Sequence, residues 1–310
     1  MRSPRRRRTL LALALALAAG SPGRGGAPPR PVRSSRSRNS AQACVAFAPT
    51  HFDPTAPVAV FPSDADLALD LAVLHGEGFG CLVTYASDGT LSRIPRLARQ
   101  AGFTCVYMGI WCPTNAVEIA AAIAESSFVT GYVVGNEGLG ESRACAYDTT
   151  ALGTAMAQLR TATGKPVTTS EQIDKYLAGP YSAWLRAHGD WLFPNAHPFW
   201  ASVTAPDSAV QWTLAKYSAI SALTSKRVSL KESGLPSAGC GACSEERQRR
   251  FFQLLRSTPV DHCVFEAFDQ PWKGPAEVEK HWGVNDMNRR PKLVVPVAPR
   301  SWQDLKTRYR

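Results

Sequence analysis

The 310-residue sequence predicts an α/β fold of eight β/α units, a (β/α)8 or TIM barrel. Three observations predict it. From residue 43 onward, short apolar runs alternate with segments of helical spacing. The alternation fills about 250 residues, the ordinary size of such a barrel. No G-x-G-x-x-G turn follows an early strand, which is what a doubly wound open sheet would lead one to look for.

The elements follow in order. "ACVAFA" (43–48) is a short apolar strand, and "DADLALDLAVLHGEG" has helical spacing and a glycine stop. "CLVTY" (81–85) is a second strand, followed by the amphipathic "LSRIPRLARQAG", which ends at Gly102. "TCVYMGIW" (104–111) and "NAVEIAAAIAES" form the third unit, and "GYVVGN" is the fourth strand. "DTTALGTAMAQLRTATG" begins with a good N-cap, Asp148, and stops at Gly164. "PVTTS" (166–170) and "YSAWLRAHG" make the fifth unit. "DWLFPNAHPFW" holds the sixth strand, before the long helix "DSAVQWTLAKYSAISALTS". "RVSLKES" is the seventh strand, and "SEERQRRFFQLLRS" is a helix capped by Ser244. "HCVFEAF" (262–268) is the eighth strand.

Residues 1–19 have a different character. An arginine-rich start, an apolar run from Leu10 to Ala19 and a small-x-small site at Ala16-Leu17-Ala18 predict a secretory signal peptide. Arg7-Arg8-Thr9-Leu10-Leu11 also resembles a twin-arginine signal, so the export route stays open. The apolar run is too short for a stable membrane span, which needs about 20 residues. Residues 20–42, rich in Pro, Gly, Ser and Arg, cannot bury enough surface to fold and are expected to be a linker. The catalytic-size domain is expected over 43–300, with a short tail at 301–310. The formal net charge of +10 is concentrated in the leader and linker, so no nucleic-acid partner is inferred from it.

An exported chain with eight cysteines is expected to form disulfides, in a pairing that the sequence does not reveal. Cys240-Gly-Ala-Cys243 could also be a redox pair or half of a zinc site, but no second close ligand pair accompanies it. The six histidines form no H-x-H or H-E-x-x-H arrangement, and neither metal nor cofactor is expected.

Active sites of such barrels lie at the C-terminal ends of the strands. There the sequence collects Tyr85, Trp111, Asn136, Glu137, Asn195, His197, Phe199, Trp200, Lys231, Glu232, Glu266, Asp269, Trp272 and Lys273. Carboxylates, amides and aromatic rings sharing one rim suggest glycoside hydrolysis. A retaining mechanism needs two carboxyl groups about 5–5.5 Å apart, and sugar rings stack on aromatic faces. Strands four and seven face each other across an eight-stranded barrel, which makes Glu137 and Glu232 candidates for the pair.

These residues also carry a family resemblance. "VVGNE" (133–137) is similar to the acid/base motif of glycoside hydrolase family 17, the β-1,3-glucanases and β-1,3-glucanosyltransferases. "KESGLPSAG" (231–239) resembles the nucleophile motif E-T-G-W-P-S-x-G, and "NAHPFW" (195–200) resembles N-x-H-P-F-F. "FEAFDQPWK" (265–273) and "EKHWGVND" (279–286) are similar to the barrel-closing segment of bacterial and fungal members. The four motifs occur in family order between about 43 and 292. The chain departs from the pattern at Val83, where the family has arginine, and at Ser233, Leu235 and Phe47, where it has Thr, Trp and often Tyr.

The resemblance implies that Glu137 is the acid/base and Glu232 the nucleophile. It also implies that Glu266 and Lys273 line the cleft, and that Tyr85 matches the tyrosine of the R-T-Y motif. Asn136 is expected to hold the sugar 2-hydroxyl. Asn195, His197, Trp200 and Trp272 are further substrate contacts. Lys231 alternates away from Glu232 on a regular strand, so Lys273 is the expected cation beside the nucleophile. The partner is then a β-glucan polysaccharide or oligosaccharide, met by a secreted or cell-envelope monomer. Two other readings stay open on the sequence: a catalytically degenerate β-glucan-binding protein on the same barrel, and a hydrolase of another β-glycan.

Overall fold

The computed structural model describes residues 43–142 and 145–295. The expected leader (1–19), linker (20–42) and tail (301–310) lie outside the described residues, as does the end of the expected domain. Seven parallel strands form one curled sheet: β1 (Ala43–Ala46), β2 (Phe79–Val83), β3 (Cys105–Ile110), β4 (Gly131–Asn136), β5 (Val167–Ser170), β6 (Leu230–Ser233) and β7 (His262–Val264). Their order is β5-β4-β3-β2-β1-β7-β6, so the first strand pairs with both β2 and β7.

The expected sixth strand is real as a position but not as a regular ladder. Segment 190–197 runs between β5 and β6 and closes the barrel through single parallel bridges, Gln172 to Asn195, Leu192 to Val228 and Asn195 to Glu232. Pro194 has no N–H to give a ladder, and its carbonyl accepts from Lys231 N instead. The last expected strand likewise keeps its ladder only to Val264. Beyond it, Ala267 N donates to Ala46 O, while Glu266 N turns to Trp282 O.

The helices are α1 (Asp64–Gly76), α2 (Ile94–Gln100), α3 (Ala116–Ala124), α4 (Thr149–Thr163), α5 (Ile173–Leu177), α6 (Ser182–His188), α7 (Pro206–Ser221) and α8 (Glu245–Leu255). Local chemistry explains several of their ends. Ser63 and Asp66 form a reciprocal capping box on α1. Asp148 and Ser244 cap α4 and α8 through their side chains. Gly164 ends α4 in the left-handed region, φ +66°. Pro95 shortens the expected second helix, which begins with a 3-10 turn over Gly89–Arg93 before α2. No helix among the described residues is long and apolar enough to cross a membrane.

Alternation along the strands divides the apolar residues between two cores. Val45, Leu82, Val134 and Val264 face the helices. Their neighbours Ala46, Val83, Val133 and Cys263 face the barrel axis, where Trp191, Phe193, Phe265 and Trp282 complete the filling. All eight cysteines are paired. Cys44–Cys263 links β1 to β7, and Cys81–Cys105 links β2 to β3, each between residues in register. Cys112–Cys145 ties the loop after β3 to the loop after β4. Cys240–Cys243 closes a short turn before α8.

Candidate active site

The apolar run of β4 ends in Gly135-Asn136-Glu137-Gly138, and the backbone turns sharply there. Gly135 has φ +73° and Glu137 φ +52°. Left-handed backbone at a glutamate costs about 1–2 kcal/mol, so the surroundings must hold it. Glu137 N continues the ladder by donating to Ser170 O at the end of β5. A side chain at Gly135 would run into Tyr147, its Cβ falling 2.3 Å from the hydroxyl. Glycine is therefore required by close approach as well as by φ.

Asn195 joins this turn to the rest of the site. Its Oδ1 accepts from Ser170 Oγ at 2.9 Å. Its Nδ2 then donates to Glu137 Oε1 at 2.8 Å and to Asn136 Oδ1 at 3.2 Å. Asn136 Oδ1 also accepts from Lys231 Nζ at 2.8 Å. The chain of contacts ends on Glu232, whose Oε1 accepts from the same ammonium at 2.8 Å and whose Oε2 lies 3.1 Å from His197 Nε2. Phe265 and Trp282 hold the His197 ring edge-on, with centroids 4.8 and 5.3 Å away.

This arrangement corrects the expectation about the lysines. Lys231, only 1% exposed, is the cation on Glu232. Lys273 instead donates to Glu266 at 2.7 Å. Strict alternation would have sent Lys231 away, but β6 shifts register against β7 between Leu230 and Ser233. That irregularity, with the length of a lysine stem, lets two consecutive residues reach one site.

The electrostatics follow from these contacts. Burial alone would push the Glu232 carboxyl up, yet the Lys231 ammonium and the His197 contact outweigh it and hold the group well below the usual carboxylate range. Glu266 goes the other way. It is fully buried, its neighbour Glu232 adds to the push, and Lys273 compensates only in part, so its pKa rises to about 7. The Tyr85 hydroxyl is pushed far up, first by burial and then by Glu232 and Glu266, and stays an O–H. Lys231 Nζ sits 4.1 Å from the centroid of the Tyr85 ring, a cation–π contact that helps fix both.

Two cavities meet at Glu232 and Phe265. The larger, about 600 Å³, is lined by Glu137, Asn195, His197, Trp200, Trp212 and Asp174, among others. The other, about 450 Å³, is lined by Tyr85, Asn136, Trp111, Phe52, Trp272 and Lys273, among others. Of the expected catalytic and substrate-contact residues, all except Glu266 thus border the cleft, whereas Phe199, Lys231 and Asp269 from the strand-end rim do not line it. Glu266 lies behind its wall and meets it through Lys273.

Sequence reasoning passed over Lys231 as a contact of Glu232, and it also passed over Phe52, Phe265, Trp212, Gln172, Asp174 and Glu279, which line the cleft. Trp212 sits on α7 and carried no signal that set it apart from an ordinary packed aromatic. Phe199 packs against Trp200 and Trp282, with centroids 4.9 and 5.8 Å away.

One donor atom from each of Glu137, His197 and Glu232 lies within 4.8 Å of the others, a spacing that could also hold a metal ion. Protein donors already engage both carboxylates there, Asn195 on Glu137 and Lys231 on Glu232. The arrangement has an ionised carboxylate with two donors, a second carboxylate across a gap, and amide and ammonium groups linking them. Chemically it can attack an electrophilic carbon and pass a proton to its leaving group.

Comparison with known proteins places the chain in a glycoside hydrolase family. The family model described as the BtgE/BtgC glycoside hydrolase domain matches residues 44–283. A Saccharomyces cerevisiae protein described as a glucan 1,3-beta-glucosidase is 27% identical over 259 residues, covering 72% of this chain and 82% of its own. An Aspergillus fumigatus protein described as "Probable glucan endo-1,3-beta-glucosidase btgC" is 26% identical over 239 residues, 62% of this chain, which spans only 34% of that longer protein. Among solved structures, the glycoside hydrolase family 17 β-1,3-glucanosyltransferase from Rhizomucor miehei superposes with a TM-score of 0.66 at 21% identity, covering 83% of this chain and 97% of its own. That similarity identifies the fold as the (β/α)8 barrel. The chain belongs to the BtgE/BtgC glycoside hydrolase family and is a glycosidase.

Proposed function

We propose that the protein is a secreted retaining β-1,3-glucanase of the family 17 type. The observation that carries this is the Glu137–Glu232 pair, with carboxylate oxygens within 4.8 Å across the cleft. That spacing fits double displacement, for which carboxyl groups stand about 5–5.5 Å apart, and is too short to seat the water of an inverting enzyme. The yeast glucan 1,3-beta-glucosidase and the Rhizomucor glucanosyltransferase support the choice of β-1,3-glucan. Four disulfides and the signal-like leader support export.

In the first step, a Glu232 oxygen bonds to the anomeric carbon as the glycosidic C–O bond breaks. The proton of the Glu137 carboxylic acid passes to the departing oxygen. The product is a glycosyl ester on Glu232 and a carboxylate on Glu137. In the second step that carboxylate takes the proton from an acceptor hydroxyl, whose oxygen displaces Glu232. Glu137 lines only the larger cavity, while Glu232 lines both. The larger cavity is therefore the leaving-group and acceptor side. The smaller one, with Tyr85, Asn136, Trp272 and Lys273, is the donor side. Room for a sugar beside Trp200 and Trp212 on the acceptor side favours glucanosyl transfer alongside hydrolysis.

The test is Glu232→Gln, assayed on laminarin and on a β-1,4-glucan with product sizes followed. Wild type should degrade laminarin and leave the β-1,4-glucan intact. The variant should lose at least about 10³-fold in kcat while still binding laminarin. Unchanged turnover in the variant would overturn the nucleophile assignment. Laminarin binding without product in the wild type would favour a degenerate binding protein.

A further inference from the structure

We propose that Tyr147 and Glu171 form a clamp that positions Glu137 for proton transfer; the proposal rests on reading Glu137 as the acid/base. Neither residue belongs to the reacting pair. Both are buried, Tyr147 at 6% and Glu171 at 0% exposure. Tyr147 lies just before α4, and Glu171 follows β5, so the clamp draws two neighbouring β/α loops onto the turn that carries Glu137.

The contacts converge on the two residues after Glu137. Tyr147 Oη accepts from Gly138 N at 3.1 Å and donates to Glu171 Oε1 at 2.7 Å. The same carboxylate oxygen accepts from Leu139 N at 3.0 Å. Lys175 Nζ then donates to Glu171 Oε2 at 3.2 Å, to Leu139 O at 2.9 Å and to Glu141 Oε1 at 2.5 Å. Gly140 N and Tyr147 O pair at 3.0 Å, and Tyr147 N and Gly138 O at 3.2 Å, so the loop folds back on the clamp.

A purely structural carboxylate would not need this location. A buried glutamate is expensive, and burial pushes the Glu171 carboxyl up even with these donors. What the expense secures is the backbone at Gly138 and Leu139, next to a glutamate with φ +52°. A strained residue keeps its conformation only when its surroundings over-determine it, and strain of this kind clusters at functional sites. The Tyr147 ring fills the space that a Cβ at Gly135 or Gly138 would take, with approaches of 2.3 and 2.5 Å. The glycines on both sides of Asn136-Glu137 are thus matched to this ring. Loosening the clamp lets the Glu137 carboxyl drift from the glycosidic oxygen while Glu232, held by Lys231 and His197, stays in place.

That asymmetry sets the experiment. Protonation of the leaving group matters for a sugar leaving group and hardly at all for dinitrophenolate. Tyr147→Phe, Glu171→Gln and Glu137→Gln are compared by kcat/KM on a laminari-oligosaccharide and on a 2,4-dinitrophenyl β-laminaribioside. Tyr147→Phe should lose about 10- to 100-fold on the oligosaccharide, part of the 10²–10⁴-fold value of a positioned acid, and less than about 3-fold on the aryl substrate. Glu171→Gln keeps an acceptor oxygen and should show the same preference more weakly. Glu137→Gln should show it most strongly. Equal losses on both substrates in Tyr147→Phe and Glu171→Gln, or no loss at all, would overturn the clamp. Absence of the preference in Glu137→Gln itself would instead overturn the acid/base reading beneath it.

Discussion

Lys231–Glu232 and Lys273–Glu266 stand at the ends of neighbouring strands, with nearly equal contacts of 2.8 and 2.7 Å. All four side chains are buried or largely so. Yet the carboxyl of Glu232 is held well below its ordinary range, and that of Glu266 is pushed up to about 7. Distance to a lysine therefore does not decide the charge. Glu232 has a second donor, His197, on its other oxygen, and its lysine is as deeply buried as it is. Among the described residues, the buried Oε2 of Glu266 has no hydrogen-bond partner, and the Glu232 charge lies nearby. Here the carboxylate with an ammonium on one oxygen and a second donor on the other ionises, while the one with a like charge beside it and a single cation keeps its proton to higher pH. The first is what a nucleophile requires.

The comparison breaks most sharply at Lys231. Lys231→Met keeps the stem and removes the charge, leaving Glu232 buried with one donor. Breaking a buried pair from one side costs about 3–5 kcal/mol, so the unfolding midpoint should fall. The sign for activity follows from the protonation state needed. Glu232 works as the carboxylate, and removing the cation raises its pKa. A new acidic limb should appear in the pH profile of kcat/KM, between about pH 4 and 6, where wild type is flat with respect to this group. If the variant keeps the wild-type profile, Lys231 is not what holds Glu232 ionised.

Glu266→Gln sharpens the comparison from the other side. Below about pH 4.5 Glu266 carries its proton both folded and unfolded. As pH rises from there to about 7, the unfolded chain releases the proton while the folded one retains it. The folded state then binds more protons, so its stability falls across that window and levels off above it. The span corresponds to about 3 kcal/mol. Thermal unfolding from pH 4 to 9 should show this decline in wild type and a flatter curve in Glu266→Gln. Matching curves would mean that folding does not raise the Glu266 pKa, and a wild-type curve that rises with pH would mean that Glu266 is ionised as Glu232 is.

Much of this site was legible because barrels repeat. Val133-Val134 reads as a buried strand, and a glutamate between glycines just past it reads as a rim residue. Asn195, His197, Trp200 and Trp272 follow the same logic. What the sequence hides is set by irregularity or by distance along the chain. Lys231 defeats alternation because β6 shifts register. Pro194 turns the expected sixth strand into single bridges. Helix α5, five residues long, is shorter than the window of about 11 residues over which helical periodicity can be recognised. Cys44–Cys263 spans 219 residues and exists because closure brings the first strand against the last, which spacing alone does not reveal.

The smallest effect is expected at Lys273, and its smallness carries the argument. Its side chain is 19% exposed, against 1% for Lys231, so part of its hydration survives folding. Below pH 7 its partner Glu266 is largely protonated, and the contact is a hydrogen bond from an ammonium to a neutral acid. Such a bond contributes about 1–2 kcal/mol rather than the larger cost of a broken buried ion pair. At pH 5–6, Lys273→Met should therefore lower stability by about 1 kcal/mol and leave the pH profile of kcat/KM unchanged in shape. Because Lys273 lines the donor cavity, KM for laminari-oligosaccharides should rise severalfold with kcat nearly constant. At pH 8 the same substitution should cost more, since wild-type Glu266 is then largely ionised against Lys273, and the variant loses that ion pair and must keep the carboxyl protonated or leave its charge unpaired. Equal stability losses for Lys273→Met and Lys231→Met at pH 5.5 would mean that the two pairs carry the same charges, and that the division between nucleophile and neutral acid is wrong.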